Sequence, residues 1–471
     1  MVCWAMVTCI GMCSKLPLPS ADACSFAFQI LPSDRALDLR PTAKCSALDM
    51  SWHLSKASRH AMRPPGKWLQ RCFGSAVIPP RVFSNMGAQP LDASLLYEEE
   101  TLRSFKRSAY YPAHMGEIFQ DRYQIVAKLG YGTTSTVWLS RDLVTSDFHC
   151  LKVFTRAKTL SGTRELQMSK DIGAINTDHP GKHAIRELQH TFRVEADGSE
   201  HTCALFEPLG TSLEKLKKLC PGNVIPADIL RVITKEVLIA LDFLHTEAQI
   251  VHTDLLPDNL ICRAKDPDVF YQMEESEHTE PTPRKTSDNY TVYLSRMVPF
   301  SIDSIVLTDF GEAEGVRQKL TRDIMSDAFR APEVILGHEW GYAVDIWALG
   351  FLLWHLSHNS DLFCMKKAPL GHPCNTHHLA QMIALLGRPP AEFLHRPSYP
   401  NNRSQHYREI SGEIEECLSN IDKKSLEDME DQFEAEEKKK FLAFLRRALT
   451  WDPKKRPTAI ELLRDEWIFR P

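Results

Sequence analysis

The chain has 471 residues, of which 43% are hydrophobic and 25% are charged, and its formal net charge is −5. Such a chain has room for two or three lobes with sizeable cores, and its composition is that of an ordinary globular protein. The small net charge argues against wholesale binding to nucleic acid or to a membrane surface, and no run of eighteen apolar residues predicts a membrane helix. The thirteen cysteines lack metal-ligand spacing, which favours reduced thiols inside a cell.

Residues 1–110 are predicted to be a largely disordered N-terminal extension. Residues 50–91 contain no acidic residue but several Lys and Arg among Ser and Ala, which fits a mitochondrial transit peptide if translation starts at Met50. A disordered basic tail is the alternative, and composition alone favours it. The adjacent prolines Pro79 and Pro80 argue against packed structure here.

A glycine turn between two strands opens the first predicted domain. The strand from Gln124 to Leu129 leads into Gly130-Tyr131-Gly132-Thr133-Thr134-Ser135-Thr136-Val137. Glycines in such a turn let backbone N–H groups approach the phosphates of a nucleotide. The usual glycine pattern of nucleotide-binding turns has a third glycine where this chain has Ser135. A glycine hairpin without other signals usually has no role in nucleotide binding.

A third strand is predicted at Cys150-Leu151-Lys152-Val153-Phe154, where one charge lies in an apolar run. Lys152 is either a surface residue with a buried stem or a ligand of the α- and β-phosphates that needs a carboxylate to orient it. Glu165, thirteen residues later in a helical stretch, is the candidate partner. Two more strands flank the hairpin signal Asp197-Gly198.

The strongest chemical pattern lies in residues 251–260, after a helix predicted from the apolar period between Pro226 and His245. A short apolar strand is followed by Asp254 and, five positions later, by Asn259. This spacing can direct a carboxylate at a substrate hydroxyl while the carboxamide reaches a metal ion. Asp and Asn are also common in ordinary turns, so the pattern alone is weak.

The remaining signals follow in the C-terminal half. A long polar insertion at 263–298 is either functional or disordered, and the strand predicted after it leads to Asp309. An apolar helix beginning at Asp345 is predicted to form the core of this half. Arg456 is predicted to pair in a bidentate manner with Glu333.

The segment 123–469 resembles the eukaryotic protein kinases in the order and spacing of these motifs. Phe329-Arg330-Ala331-Pro332-Glu333 and the insertion at 377–387 are similar to the group that holds cyclin-dependent, MAP and SR-protein kinases. Thr253, together with the long insertion before Asp309, is similar to the SR-protein kinases and their divergent fungal relatives.

The resemblance implies an α+β, bilobal protein-kinase fold. A small sheet-rich N-lobe would span residues 123–206, a hinge 207–212 and a larger helical C-lobe 213–469. The cofactors would be ATP and Mg²⁺, bound in the cleft between the lobes. The implied substrate is a protein, with Arg/Ser-rich proteins as the class that SR-protein kinases favour, and the chain is expected to be a monomer without direct nucleic-acid or membrane contacts. The expected location is cytoplasmic and nuclear, or mitochondrial if residues 50–91 act as a transit peptide.

The resemblance also assigns the site residues. Asp254 would accept the substrate hydroxyl proton, Lys152 and Glu165 would position the phosphates, and Asn259 and Asp309 would hold magnesium. The residues expected to contact ATP are Leu129, Gly130, Gly132, Ser135, Val137, Cys150, Lys152, Glu207, Leu209 and Ile261. Of these, Leu129, Val137, Cys150 and Ile261 would sandwich the adenine.

Two departures from the family pattern matter. Thr253 replaces the Arg that often pairs with a phosphorylated activation loop, which predicts activity without phosphorylation of Ser326 or Thr321. Leu256 replaces the Lys that usually touches the γ-phosphate, so the enzyme is expected to be active but slow. The alternative is a catalytically impaired kinase-fold scaffold that binds nucleotide or a partner. Acidic residues cluster at Glu413, Glu415 and Glu416 and from Glu427 through Glu437, and this acidic run is interpreted mainly as solvated and partly disordered.

Overall fold

A computed structural model provides the three-dimensional description of the chain. The residues that it describes are 78–84, 87–156, 160–287, 289–316, 320–363, 375–396, 411–421 and 424–469. Within these residues, no helix combines the length and the apolar composition needed to cross a bilayer.

The N-terminal half of the domain is organised by an antiparallel sheet of six strands in the order β1-β2-β3-β4-β6-β5. The strands are β1 Ile118–Phe119, β2 Tyr123–Gly132, β3 Ser135–Asp142, β4 Phe148–Phe154, β5 Leu188–Ala196, β6 Ser199–Phe206, β7 Ile250–Val251, β8 Leu260–Ala264, β9 Arg284–Ser287, β10 Tyr290–Tyr293, β11 Phe300–Leu307 and β12 Glu314–Gly315. The predicted hairpin between β5 and β6 is confirmed, and its turn residues Asp197 and Gly198 have φ values of 49° and 68°, as a two-residue type I′ turn requires.

The C-terminal half is helical. Among the described residues the α-helices are α1 Leu160–Gly173, α2 Leu213–Leu219, α3 Ala227–Phe243, α4 Asp268–Thr279, α5 Pro332–Ile335, α6 Ala343–Ser357, α7 Asn375–Leu386, α8 Ala391–Leu394, α9 Ser411–Ser419, α10 Leu426–Met429, α11 Ala435–Ala448 and α12 Ala459–Leu462. Helix α6 is apolar on nearly every side and lies at the centre of the large core, as predicted. The α+β fold with a sheet-rich N-lobe and a larger helical C-lobe is therefore confirmed.

The predicted pair between Arg456 and Glu333 is present. Arg456 donates from both terminal nitrogens to Glu333, at 2.8 and 3.2 Å, and both side chains are completely buried. Arg456 also donates to the carbonyls of Thr450 and Ala343, which satisfies its remaining N–H groups. Arg456, in the segment before α12, is thus joined to α5 through Glu333 and to the start of α6 through Ala343.

The insertion at 263–298 is folded, so its interpretation as disordered is wrong. Helix α4 and the β9–β10 hairpin lie within it and pack on the N-lobe sheet. Val269 and Phe270 of α4 join the apolar cluster that holds Leu139 of β3, and Arg141 pairs with the buried Glu274 at 3.0 Å. The insertion is polar in sequence because only one face of its helix is buried.

The described part of the N-terminal extension, 78–84 and 87–110, also differs from the prediction of disorder. The N–H of Leu91 donates to the carbonyl of Arg284 in β9 at 2.9 Å, and Tyr110 is buried against Tyr290 of the insertion. The apolar cluster at this contact joins residues of the extension to Tyr290 and Val292 of the insertion, so neither segment looks like a core by itself. Most of the predicted targeting segment lies outside the described residues.

The acidic run in the C-lobe is partly used within the fold. Glu427 pairs with Arg446, and Glu415 pairs with Arg388. Glu430 is buried, and one of its oxygens accepts hydrogen bonds from the N–H groups of Gln432 and Phe433. In the part that the structure describes, the run therefore lies mostly in the helices α9 to α11 and the turns between them, not in a disordered segment.

Candidate active site

A buried ion pair links the sheet to the helix beside it. Lys152 lies in β4, and its Nζ donates to both carboxylate oxygens of Glu165 in α1, at 2.7 and 2.6 Å. Burial on its own lowers the pKa of Lys152, but the carboxylates of Glu165 and Asp309 outweigh burial and raise this pKa above its usual value. The ammonium is thus held charged and oriented at the site where the sequence predicts phosphate contacts.

Asp309 lies two residues after β11, in a constrained backbone conformation. Its φ of 62° is in the left-handed region, where a non-glycine residue costs energy and is usually held for a functional reason. The N–H of Gly311 donates to Asp309 Oδ1 at 3.2 Å. The ammonium of Lys152 is the main cause that lowers the pKa of Asp309 below its usual value, and the residue is exposed to solvent. An ionised, accessible carboxylate of this kind suits a magnesium ligand.

Asp254 and Asn259 are in direct contact within the loop that follows β7. Asn259 Nδ2 donates to the carbonyl of Asp254 at 2.9 Å and to its Oδ2 at 3.0 Å. Burial raises the pKa of Asp254 above its usual value, and the neighbouring Asp309 adds to this while His252 and Asn259 oppose it. A carboxylate with a raised pKa accepts a proton more readily at neutral pH, as a general base must.

Asp345 anchors this loop, a role that the sequence reasoning did not assign. Its carboxylate, completely buried at the start of α6, accepts hydrogen bonds from the N–H groups of His252 at 2.8 Å and Thr253 at 2.9 Å. Thr253 has a φ of 66°, a rare conformation for a β-branched residue, so the loop needs this support. The sequence signal for this role was a single acidic residue, Asp345, at the start of an otherwise apolar helix, since a charged residue is rarely buried without a partner.

Three of the predicted adenine contacts come together in the N-lobe. Leu129, Val137 and Cys150 belong to one apolar cluster with the buried residues Ala204 and Phe206 of β6. Flat apolar surfaces of this type suit a purine ring. The fourth predicted contact, Ile261, lies outside this cluster, in β8 of the C-lobe, where it pairs with Val306.

The hinge is held by hydrogen bonds to the C-lobe. The N–H of Gly210 donates to the carbonyl of Cys262 at 2.8 Å, and a side chain at Gly210 would collide with Phe300 and that carbonyl. The predicted ATP contact Glu207 pairs through its carboxylate with Arg263. Leu209, the other predicted hinge contact, is buried.

The glycine turn is formed as predicted, with Gly132 opposite Ser135 in the β2–β3 pairing. A Cβ atom added at Gly130 or Gly132 would meet no protein atom within 4 Å, and neither residue has a positive φ. Protein packing therefore does not require glycine at these positions. Close approach of a phosphate to the backbone explains both glycines, so the turn fits a nucleotide.

The donor set also fits magnesium held together with a nucleotide. Magnesium is typically bound by one or two carboxylates plus substrate phosphates, rather than by an all-protein cage. Asp309 and Asn259 supply one carboxylate and one amide. Among the described residues, no group of three or more His, Cys, Asp and Glu side chains is placed to hold a metal ion without such help.

Comparison with known proteins identifies the family. Residues 123–468 match the family model of the protein kinase domain. The chain belongs to the protein kinase family. This kinase is 36% identical over 408 residues to a serine/threonine protein kinase of Aspergillus fumigatus, a match that covers 85% of this chain and 98% of the relative. It is 31% identical over 399 residues to the serine/threonine-protein kinase SRPK of Physarum polycephalum, covering 79% and 91% of the two chains.

A solved kinase-domain structure agrees in fold. It superposes on this kinase with a TM-score of 0.56 at 24% identity, covering 77% of this chain and all of the other. The resemblance to SR-type serine/threonine kinases is therefore confirmed by relatives, and the kinase fold by structure. Membership of this family implies the use of ATP and Mg²⁺ and a protein as the substrate.

In the activation segment, taken here as the described residues 312–316 and 320–330, ordering contacts come from the protein's own groups. Arg322 pairs with Glu314 and donates to the carbonyl of Glu312 at 2.8 Å. Thr253 Oγ1 donates to the same carbonyl at 2.8 Å, and Arg164, next to the ion-paired Glu165 in α1, pairs with Glu314 at 2.8 Å. These contacts join the segment after Asp309 to the catalytic loop and to α1.

The unphosphorylated kinase should consequently be active. Treatment with a phosphatase that removes phosphate from Ser326 and Thr321 should change the initial rate by less than about twofold, because protein groups already order the segment. The rate is measured before and after treatment, with mass spectrometry to verify dephosphorylation. Arg322→Ala, which removes the pair with Glu314, should lower the rate about fivefold in the same assay. An inert recombinant enzyme that an upstream kinase rescues would contradict this prediction.

Proposed function

We propose that this kinase transfers the γ-phosphoryl group of ATP to serine hydroxyls of proteins, with Arg/Ser-rich proteins as the substrate class. The observation that carries the proposal is the arrangement of Lys152, Asp309 and the Asp254–Asn259 pair. A charged ammonium, an ionised accessible carboxylate and a hydrogen-bonded base are the groups that phosphoryl transfer requires.

The residues have distinct tasks in this mechanism. When bound, ATP and Mg²⁺ supply the phosphoryl group and the metal charge that neutralises it. Lys152, oriented by Glu165, would hold the phosphates, and Asn259 and Asp309 would hold the metal. Asp254 would take the proton of the substrate hydroxyl, and its raised pKa favours this step near neutral pH. Since the transition state is loose, positioning and charge neutralisation supply most of the rate enhancement.

The substrate class is supported by relatives and by surface charge. One relative bears the name SRPK and another is an SRSF protein kinase of Sus scrofa. An arginine-rich peptide needs free carboxylates. Of the acidic residues in the C-lobe, Glu413 and Glu416 are both exposed, whereas Glu427 is already paired with Arg446. Within this surface-charge argument, the Arg/Ser substrate class is therefore supported by a few acidic residues, not by the whole acidic run.

A peptide array tests the substrate class. Arg-Ser repeats are compared with Lys-Ser repeats, acidic Ser peptides and Ser-Pro peptides at equal concentration. We expect kcat/KM to be at least about tenfold higher for Arg-Ser repeats, since Arg pairs with carboxylates in a bidentate manner and Lys does not. Equal kcat/KM values for peptides with and without flanking arginines would contradict the Arg/Ser substrate class but not the kinase activity.

Leu256 favours a second function, a scaffold that binds nucleotide without efficient transfer. Its N–H donates to the carbonyl of Asp254 at 2.9 Å, so it lies in the catalytic loop, but its side chain carries no charge. A missing contact to developing charge in the transition state can cost on the order of 10²–10³ in rate. The Lys152–Glu165 ion pair and the hydrogen bond between Asn259 and the proposed general base Asp254 favour an active enzyme over a scaffold.

Leu256→Lys should raise kcat about tenfold, because the new ammonium lies two residues from Asp254 and can contact the transferred group. Leu256→Met is the matched control, since it changes the shape of the side chain without adding charge. Steady-state rates with a peptide substrate at saturating ATP measure the effect. Phosphotransfer that appears only in Leu256→Lys would identify the natural chain as the scaffold.

A further inference from the structure

The glycine turn is contacted from outside the kinase sheet by an N-terminal strap, defined here as residues 87–113. The strap lies against the insertion, with the N–H of Leu91 bonded to the carbonyl of Arg284. It then reaches the end of β4, where the N–H of Arg156 donates to the carbonyl of Ala109 at 2.9 Å. The strap therefore ends beside the strand that carries Lys152.

Tyr110 of the strap binds the turn itself. Its hydroxyl lies 2.9 Å from the carbonyl oxygen of Gly132 and 3.2 Å from that of Thr133. A tyrosine hydroxyl has one proton to donate, so these two carbonyls share it. Tyr110 is only 5% exposed, which removes most competition from water. The N–H of Thr155 completes the contact set by donating to the next carbonyl, that of Thr134, at 2.8 Å.

The ring of Tyr110 is fixed by residues from two separate parts of the chain. Its centroid lies 5.1 Å from that of Phe105 in the same strap. Tyr290 and Val292 of strand β10 in the insertion complete the buried cluster. A ring packed on both sides has little freedom, so the hydroxyl is held at a defined position over the turn.

The strand that enters the turn is anchored by the same two parts of the chain. Lys128, two residues before Gly130, is completely buried and pairs with Glu99 of the strap. Glu99 also accepts a hydrogen bond from the hydroxyl of Tyr290 at 2.7 Å. The carbonyl of Lys128 accepts a hydrogen bond from the N–H of Arg296 in the insertion at 2.8 Å.

We propose that Tyr110 is a positioning residue for the nucleotide: its hydroxyl fixes the glycine turn in the conformation that receives the phosphates. This inference rests on the proposed function, because it concerns the same ATP site. Ordering one backbone residue costs roughly 1–2 kcal/mol. A turn that is already ordered before binding loses less entropy when the nucleotide binds, and affinity rises accordingly.

The test compares Tyr110→Phe with Tyr111→Phe in the full-length chain. Tyr110→Phe removes the hydroxyl and keeps the packed ring. Tyr111→Phe is the same chemical change at the next residue, whose hydroxyl donates to Glu117 at 2.5 Å and makes no contact with the turn. The probe is the non-hydrolysable ATP analogue AMP-PNP with Mg²⁺, and its Kd is measured by isothermal titration calorimetry.

For Tyr110→Phe we expect the Kd to rise roughly fivefold, the effect of losing about one hydrogen bond. Hydrogen exchange of the amides at 130–136 should become faster, and the KM for ATP should rise while kcat stays within about twofold. Tyr111→Phe should match the wild type in all three measurements. A simple structural role of the hydroxyl would lower Tm without this selective change in nucleotide affinity.

Equal Kd and equal exchange rates for Tyr110→Phe and the wild type would overturn the proposal. If Tyr110→Phe does not fold, Phe105→Leu decides, because it loosens the ring of Tyr110 and should raise the Kd in the same direction; an unchanged Kd would then overturn the proposal. Binding is measured without turnover, so failure of kinase activity and failure of the positioning role are seen separately.

Discussion

Replacement of Asp254 by asparagine should lower kcat about 10³-fold, the usual range for loss of a general base. Asparagine has nearly the same shape, so the loop that Asp345 anchors should be retained. The KM for ATP should change by less than about threefold, because Asp254 is assigned to the substrate hydroxyl and not to the nucleotide. Initial rates with a serine peptide at saturating ATP measure the effect.

The raised pKa of Asp254 adds a pH dependence to this prediction. The carboxylate must be ionised to accept a proton, and burial raises its pKa above the usual value. The acidic limb of kcat against pH should thus lie at higher pH than for a solvent-exposed aspartate, and Asp254→Asn should abolish that limb.

The control for Asp254→Asn is Asp197→Asn, the same change in an exposed β-turn remote from the cleft, which should leave kcat unchanged. Retention of full activity by Asp254→Asn would contradict the assigned role.

Replacement of Lys152 by methionine should lower kcat/KM for ATP on the order of 10²–10³-fold, because it removes the charge assigned to the phosphates. It should also destabilise the fold by about 3–5 kcal/mol, since Glu165 is left as a buried charge without its partner. Lys170→Met, at an exposed position on the helix that carries Glu165, is the matched control and should change neither quantity.

A double variant separates stability from catalysis at this pair. Lys152→Met combined with Glu165→Leu removes both buried charges and should recover most of the lost stability without recovering activity. The free energy of unfolding is measured by urea denaturation, and kcat/KM by initial rates. Wild-type activity in the double variant would exclude a role for Lys152 in phosphate binding.

The residues of the site were predictable because each lies at a fixed offset within a short local pattern. The strand around Lys152, the glycine turn and the Asp254–Asn259 spacing can all be read from fewer than a dozen consecutive residues. The structure brings Lys152 to Glu165 and Asn259 to Asp254 at hydrogen-bond distance. The sequence pattern could not supply these distances, because the first depends on how α1 packs beside the sheet and the second on the backbone path of the loop after β7.

The strap and the insertion were not predictable for the opposite reason. Glu99 and Tyr290 are separated by 191 positions, yet they share a buried hydrogen bond. The strap lacks the periodicity of an amphipathic element, since it contains only short 3₁₀ turns such as Glu98–Thr101. The helix of the insertion buries two glutamates beside its three apolar residues, which weakens its apolar pattern. Polar composition therefore suggested disorder, although the two segments bury each other. Asp345 was missed for a related reason: its function depends on a loop 92 and 93 residues earlier.

The most direct test of the central claim is Mg²⁺-dependent transfer of the γ-phosphate of labelled ATP to an Arg-Ser peptide by the full-length chain. The protein is produced in bacteria, and Asp254→Asn prepared in parallel gives the background. We expect label to accumulate on serine with the wild type, to be lost when the metal is chelated, and to be absent with Asp254→Asn. Incorporation by the wild type that does not exceed the Asp254→Asn background, with nucleotide still bound, would contradict it and identify a binding protein with a kinase fold.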